Sequence, residues 1–351
     1  MPLFSPALPV SQRSLSGEAL LVPFRRLDSY GSEPRGSDSS SNSSSTEWLD
    51  VARPIPGVTY QSLVAAGPLD KPTASQIEVD IVRTNLGDGD GVEAKREQLR
   101  RVLNAFSRHE PSIGYVQGMD AVAAAALDGG AEGHESSRSD SKDAECDGGR
   151  ESSTDRHADD AVEERAFWWL THVTSTLLRG FYSNGMPALW VELSVLRKAL
   201  VALRPKLVAH LDRLGFDFGL LAPSWYLTLF QRILDTSEIA PSLAALSARK
   251  VEPTHIAIGI VLACEPALLA ASDFDHAAKV LCGTVCASRS RRAPTGVLAH
   301  ATKAISLMPS AKLAKWRAKE SGGSLAGKAL SVVGAEPETP RAIKRAKWGW
   351  W

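Results

Sequence analysis

The phrase Ile77-Glu78-Val79-Asp80-Ile81-Val82-Arg83-Thr84 and, beyond one intervening helical segment, the phrase Ile113-Gly114-Tyr115-Val116-Gln117-Gly118-Met119 decide how this chain is read. Ser75 and Glu78 have capping-box spacing, so a helix is predicted to begin at or just after Ser75 and to end near Arg83. Ile77, Ile81 and Thr84 share one stripe of that helix and should pack inward, whereas Arg83 points away from it. Asp80, on the border of the stripe, is costly to bury unless hydrogen-bonded, so it should hold local backbone or the base of the arginine. Gly87-Asp88-Gly89-Asp90-Gly91 cannot continue the helix and is expected to form a mobile turn.

Leu99, Val102, Leu103 and Phe106 are spaced for one buried helical face, ending near His109-Glu110-Pro111. The following loop holds Tyr115 and Gln117, and an apolar helix is predicted from Met119 to Leu127. One arginine and one glutamine thus stand near two helix ends with no nucleophile, metal cluster or acid pair between them. Such a pair suits phosphoryl transfer in trans, where a guanidinium neutralises phosphate charge and an amide orients the attacking water. On spacing alone, the plainer reading is two ordinary surface polar residues.

Ile77-x-x-Asp80-x-x-Arg83 followed by Tyr115-x-Gln117 resembles the paired signature motifs of the TBC-domain family, the activating proteins of Rab-type GTPases. Leu99 to Phe106 reads like that family's inter-motif helix, Ala222-Pro223-Ser224-Trp225-Tyr226-Leu227-Thr228-Leu229-Phe230 like its third recurring block, and His210 to Asp217 like the stretch before it. The blocks lie within residues 60 to 280. The resemblance implies an all-α TBC-like domain of two helical subdomains, with Arg83 as an arginine finger and Gln117 as a glutamine finger facing one open space. It assigns structural support to Ile77, Asp80, Thr84, Tyr115 and Gly118. It also implies that the partner is a Rab-type small GTPase carrying its own GTP and magnesium, so that the chain needs no cofactor. The alternative is a TBC-like scaffold that binds a GTPase or another trafficking partner without catalysis.

With 351 residues, 44% of them hydrophobic, the chain has room for one large helical domain plus tails. The formal net charge is zero, which gives no electrostatic footprint for nucleic acid. Four cysteines at spacings that form no disulfide framework point to a reducing compartment, and the reading is cytoplasmic, with peripheral contact on endomembranes. Residues 1–50 are rich in Ser, Pro, Gly and Arg and are expected to be disordered. The domain is placed at 51–290. Within it, Tyr60-Gln61-Ser62-Leu63 matches a family phrase whose tryptophan-bearing partner helix upstream is not recognisable. Residues 128–164 collapse into Gly, Ser, Asp, Glu and Arg and are read as a long disordered insertion.

In the second half, Ala166 to Leu178 and Pro187 to Leu203 are predicted helices, with a break at Pro205. Arg232-Ile233-Leu234-Asp235 keeps a family phrase except that Leu234 stands where an aromatic is usual. Ile256 to Leu262 is the most apolar run, but Glu265-Pro266 ends it far short of the roughly 20 residues of a transmembrane span. Residues 291–351 are read as a basic, flexible tail finishing in Trp348-Gly349-Trp350-Trp351, either solvated or touching anionic lipid. Leu313 and Trp316 are too few apolar residues for a strongly amphipathic helix. Gly322-x-x-x-x-Gly327-Lys328 is not a phosphate loop, because Ala329 replaces the required Ser or Thr. His276, Cys282 and Cys286 lack a fourth ligand at zinc spacing.

Overall fold

Asp70, rather than Ser75, starts the helix that carries Arg83. In the computed structural model, which describes residues 47–49, 57–87, 91–138, 153–282 and 296–322, this helix, α2, runs Lys71–Arg83. The Asp70 carboxylate accepts the Thr73 N–H at 3.0 Å, which holds its pKa below the usual carboxylate range, and Pro72 occupies the first turn, where its missing N–H costs nothing. Two cap signals compete here, and the one reinforced by proline prevails, leaving Ser75 inside the helix. The inward stripe is as expected, with Ile77 and Ile81 fully buried and Asp80 buried beside them.

Helix α3 (Val92–His109) lies against α2 and buries Leu99, Val102, Leu103 and Phe106. Helix α1 (Tyr60–Ala65) packs across α3, and the Tyr60 phrase now has a physical role. The Tyr60 hydroxyl donates to Glu163 at 2.8 Å, and Arg101 of α3 donates to the same carboxylate from Nε at 3.0 Å. Glu163 is buried, and this pairing offsets its desolvation while tying three helices together. Burial, and then the neighbouring Glu163 charge, push the Tyr60 phenol well above its ordinary pKa. Among the described residues, the upstream tryptophan is carried by a 3-10 turn, Glu47–Leu49. Trp48 is buried edge-on against Trp169, with ring centroids 4.7 Å apart, and lies against Gly129.

Helices α4 (Met119–Arg138) and α5 (Ser153–His172) pack side by side. Both run into the stretch expected to be a structureless insertion, so residues 128–138 and 153–164 are helical. The apolar pattern does stop, but a helix already nucleated on the core propagates cheaply through Ala131, Glu132 and Glu135. The remaining part of that insertion, 139–152, lies outside the described residues. So do most of the expected amino-terminal disorder, the centre of the Gly87–Gly91 turn, Cys286, and residues 323–351.

The second subdomain follows with α6 (Pro187–Leu203) and α7 (Pro205–Arg213), broken at Arg204-Pro205 as the sequence predicts. After a 3-10 turn at Phe218–Leu220 come α8 (Ala222–Leu227), α9 (Thr236–Ser247), α10 (Pro253–Ala263), α11 (Glu265–Leu269) and α12 (Phe274–Leu281). Leu234 is buried, so leucine fills the position where an aromatic was expected. Every residue of α10 from Thr254 to Leu262 is buried, and no helix among the described residues is long and apolar enough to cross a membrane.

A helix that is apolar all round needs cover on every side. That requirement explains the main departure at the carboxyl end: residues 296–322, read as tail, form α13 (Val297–Leu307) and α14 (Ser310–Gly322). Helix α13 lies on α10 through the small residues Ala301 and Ala304, and Leu313 of α14 is fully buried. His255 of α10 reaches the Met308 carbonyl through Nε2 at 2.9 Å. Arg317 of α14 makes a two-pronged bond to buried Glu192 of α6, both at 2.7 Å, and meets Glu252 at 2.6 Å.

The close seat of α13 depends on Gly259. A Cβ there would stand 2.5 Å from the Val297 carbonyl oxygen and 3.0 Å from the Ala301 nitrogen, both backbone atoms. Gly259→Ala should therefore part the two helices and destabilise the fold by about 1 to 3 kcal/mol. Urea unfolding measures this directly, and an unchanged midpoint would mean that α13 is not seated as described.

Candidate functional site

Helix α2 ends on Arg83, and Thr84 leaves it in extended conformation. The Thr84 hydroxyl lies 2.8 Å from the Asp80 carbonyl oxygen and 2.9 Å from Asp120 Oδ2, fixing the direction in which the chain departs. One turn back, Asp80 accepts from Arg83 Nη2. The Arg83 side chain is 34% exposed while Asp80 is buried. Among the described residues only Nη2 is engaged, so the Nε and Nη1 donors of the guanidinium are available.

The second phrase delivers its residues from a loop. Helix α3 stops at Glu110-Pro111, and the turn continues through Gly114 (φ +64°) to Gly118 (φ +104°). Gly118 has a double reason to be glycine. Its φ is left-handed, and a Cβ would lie 2.5 Å from the Leu227 carbonyl oxygen. That carbonyl also accepts the Tyr182 hydroxyl at 2.9 Å, so the loop rests directly on the end of α8.

Tyr115 turns inward, donating to Asp80 Oδ2 at 2.7 Å, with Asp120 Oδ1 at 3.3 Å. Burial, followed by the Asp120 charge, raises its pKa far above the ordinary phenol value, so it stays a donor. Gln117 is half-buried between Tyr115 and Gly118, and its carboxamide makes no hydrogen bond among the described residues.

Asp120, in the first turn of α4, is the hub that the sequence reading missed. It is fully buried and accepts the Gly118 N–H at 2.8 Å and Arg232 Nη2 at 3.0 Å. Asp80 and Asp120 therefore form two buried carboxylates around one phenol, each neutralised by a partly exposed arginine. Isolated buried charges would be costly, and this arrangement satisfies both.

Arg83, Thr84, Asp120, Gln231 and Arg232 line one open cavity of about 520 Å³, together with Ile239 of α9. Five of the seven motif residues, Asp80, Arg83, Thr84, Tyr115 and Gly118, thus join one network. Ile77 lies in the core beneath them, and Gln117 stands on the loop without lining the cavity. An acid in the first turn of a helix is a recognisable signal for Asp120. Arg232 sat in a phrase read only for its missing aromatic, and its partner is 112 residues away, beyond any local pattern.

The charge balance has a measurable consequence. Arg232→Met leaves Asp120 buried and unpaired, and should cost roughly 2 to 3 kcal/mol, somewhat less than a fully buried pair because Arg232 is a third exposed. Adding Asp120→Asn removes the orphan charge and should recover most of that loss in urea unfolding. A double variant no more stable than the single one would refute this account.

Comparison with known proteins places the two phrases in a family. The family model described as Rab-GTPase-TBC domain matches residues 59–261, more than half of the 351-residue chain. TBC1 domain family member 2A of Rattus norvegicus is 33% identical over 176 residues, covering 49% of this chain and 16% of that protein. TBC1 domain family member 2B of Xenopus tropicalis is 26% identical over 179 residues, covering 50% of this chain and 16% of that protein. The match thus spans about a sixth of the length of these relatives. Two solved structures share the fold. The Chlamydomonas flagellar RabGAP TBC domain has a TM-score of 0.52 at 20% identity, covering 75% of this chain and 78% of that one. The Ypt/Rab-GAP domain of Gyp1p has a TM-score of 0.54 at 19% identity, covering 78% and 80%. The chain belongs to the Rab-GTPase-TBC domain family.

Proposed function

We propose that the chain accelerates GTP hydrolysis by a Rab-type small GTPase, supplying Arg83 and Gln117 in trans to a site where the partner brings GTP and magnesium. The observation that carries this reading is the state of Arg83. It ends a rigid helix, borders an open cavity, and is held along one edge by a buried carboxylate while its other donors are available. A guanidinium oriented before the partner arrives loses little freedom on binding and can neutralise the charge that develops on the transferred phosphoryl group. Asp80 and Tyr115 then act as positioning residues, one fixing the rotamer of Arg83 and the other holding Asp80.

Gln117 is assigned the second role, orienting the attacking water in place of a glutamine of the GTPase. Its unengaged carboxamide and its place on a loop braced by Gly118 support this role. Gln117 lies outside the cavity, so the two side chains would meet across the partner's nucleotide site rather than within this chain. Family membership supports the choice of a Rab-type partner.

A panel of purified Rab GTPases, assayed for single-turnover phosphate release with and without the full chain, tests the proposal. Arg83→Ala and Arg83→Lys should each abolish stimulation, a loss on the order of 10³ to 10⁵ in rate, the second because lysine lacks the planar fork. Gln117→Ala should cut the rate strongly while leaving the unfolding midpoint unchanged. Parental rates in either Arg83 variant would overturn the finger assignment. GTPase binding without stimulation by the parent chain would leave a scaffold.

A further inference from the structure

We propose that one face of the second subdomain, formed by α6 and α14, docks on an anionic lipid bilayer. This surface is separate from the Arg83 cavity and does not depend on the function proposed above.

Lys312, Lys315 and Lys319 recur along α14 at spacings that put them on one face, and all three are exposed. None makes an ion pair among the described residues. Lys312 Nζ sits 5.1 Å from the centre of the Trp316 ring, which keeps that lysine beside an indole. Helix α14 lies along α6, where Arg197 and Lys198 each pair with a carboxylate, so the three lysines of α14 carry the net charge of this face. The carboxylates on this face are already engaged: Glu320 accepts from Lys198 and, at 3.0 Å, from Ser194, while Asp212 accepts from Arg197 at 3.0 Å. Between the helices runs a groove of about 510 Å³ bordered by Arg197, Lys198, Trp316 and Lys319.

The same face carries apolar groups that a soluble helix would ordinarily turn inward. Trp190 is 51% exposed and Val201 is 45% exposed. With Ser194 and Arg197 they follow the helical repeat of α6, so the tryptophan and valine stand at the two ends of one stripe. Unpaired lysines on α14, with an exposed indole and an aliphatic side chain on the helix beside it, match the two layers of a membrane surface: anionic headgroups outside, acyl chains just beneath. Nucleic acid would use the cations but has no place for the valine. The sequence after α14 keeps this character, with Lys328, Arg341, Lys344, Arg345 and Lys347 and three further tryptophans.

The attachment to α6 also fixes the geometry. Buried Leu313 and the Arg317 bonds to Glu192 hold α14 by its opposite face, so the lysines are presented on a rigid support.

Sedimentation of the full chain with phosphatidylcholine vesicles, with and without phosphatidylserine, tests the proposal. Binding should require phosphatidylserine and weaken as salt rises from low to physiological strength. A lysine near an anionic surface contributes roughly fivefold to partitioning, so Lys312→Gln/Lys315→Gln/Lys319→Gln should weaken binding on the order of a hundredfold. Trp190→Ala should weaken binding to the same vesicles without changing its salt dependence. Unchanged urea midpoints of these variants, which alter exposed side chains, serve as the fold control. Lack of phosphatidylserine-dependent binding, equal binding by the triple variant, or binding of single-stranded RNA in place of vesicles would each overturn it.

Discussion

Two carboxyl groups removed from water stand at the centre of this molecule, and the surrounding chain is arranged to keep both hydrogen-bonded. Asp80 comes from the last turn of α2 and Asp120 from the first turn of α4, with the Tyr115 phenol between them. Each needs a cation, and each takes one from a different place: Arg83 from its own helix, Arg232 from the second subdomain. The electrostatic requirement therefore joins the two subdomains at the point where an arginine is presented to solvent. The side chain proposed to act on a partner and the side chain that closes the domain junction answer the same constraint.

Much of this was legible in the sequence, and what was not has identifiable reasons. The inward stripe of α2 and the break at Pro205 are local, set by helical period and by the lost N–H of proline, so both were read correctly. The start of α2 was misplaced because Ser75 and Asp70 both offer caps, and only the second is supported by a proline in the next turn. The carboxyl-terminal helices were missed for a different reason. Ala301 and Ala304 look bland beside a run of leucines, yet small residues allow α13 to approach Gly259 closely enough to cover α10. The all-apolar α10 announced that a cover must exist without saying where it lay in the chain.

The site itself divided in the same way. Arg83, Asp80 and Tyr115 were legible because a short motif carries them and because an acid one turn before an arginine already implies a pair. Asp120 and Arg232 owe their roles to a contact across 112 residues. Gln117 could be named from its motif, but its standing apart from the cavity follows from the path of the loop over Gly118, which no pattern of residue types records.

Between α8 and Arg232 the backbone passes through two successive left-handed residues that are not glycines, Leu229 (φ +46°) and Phe230 (φ +65°). Both are buried, and Phe230 donates its N–H to the Trp225 carbonyl. Such a conformation is unfavourable for bulky residues and is held here by backbone hydrogen bonds together with the burial of both side chains. The corner behaves like a bent spring clamped by its own hydrophobic contents. Substitutions deep in that interior, with no contact to Arg83, would relax the corner, let Arg232 drift from Asp120, and so loosen the seat of the arginine from a distance.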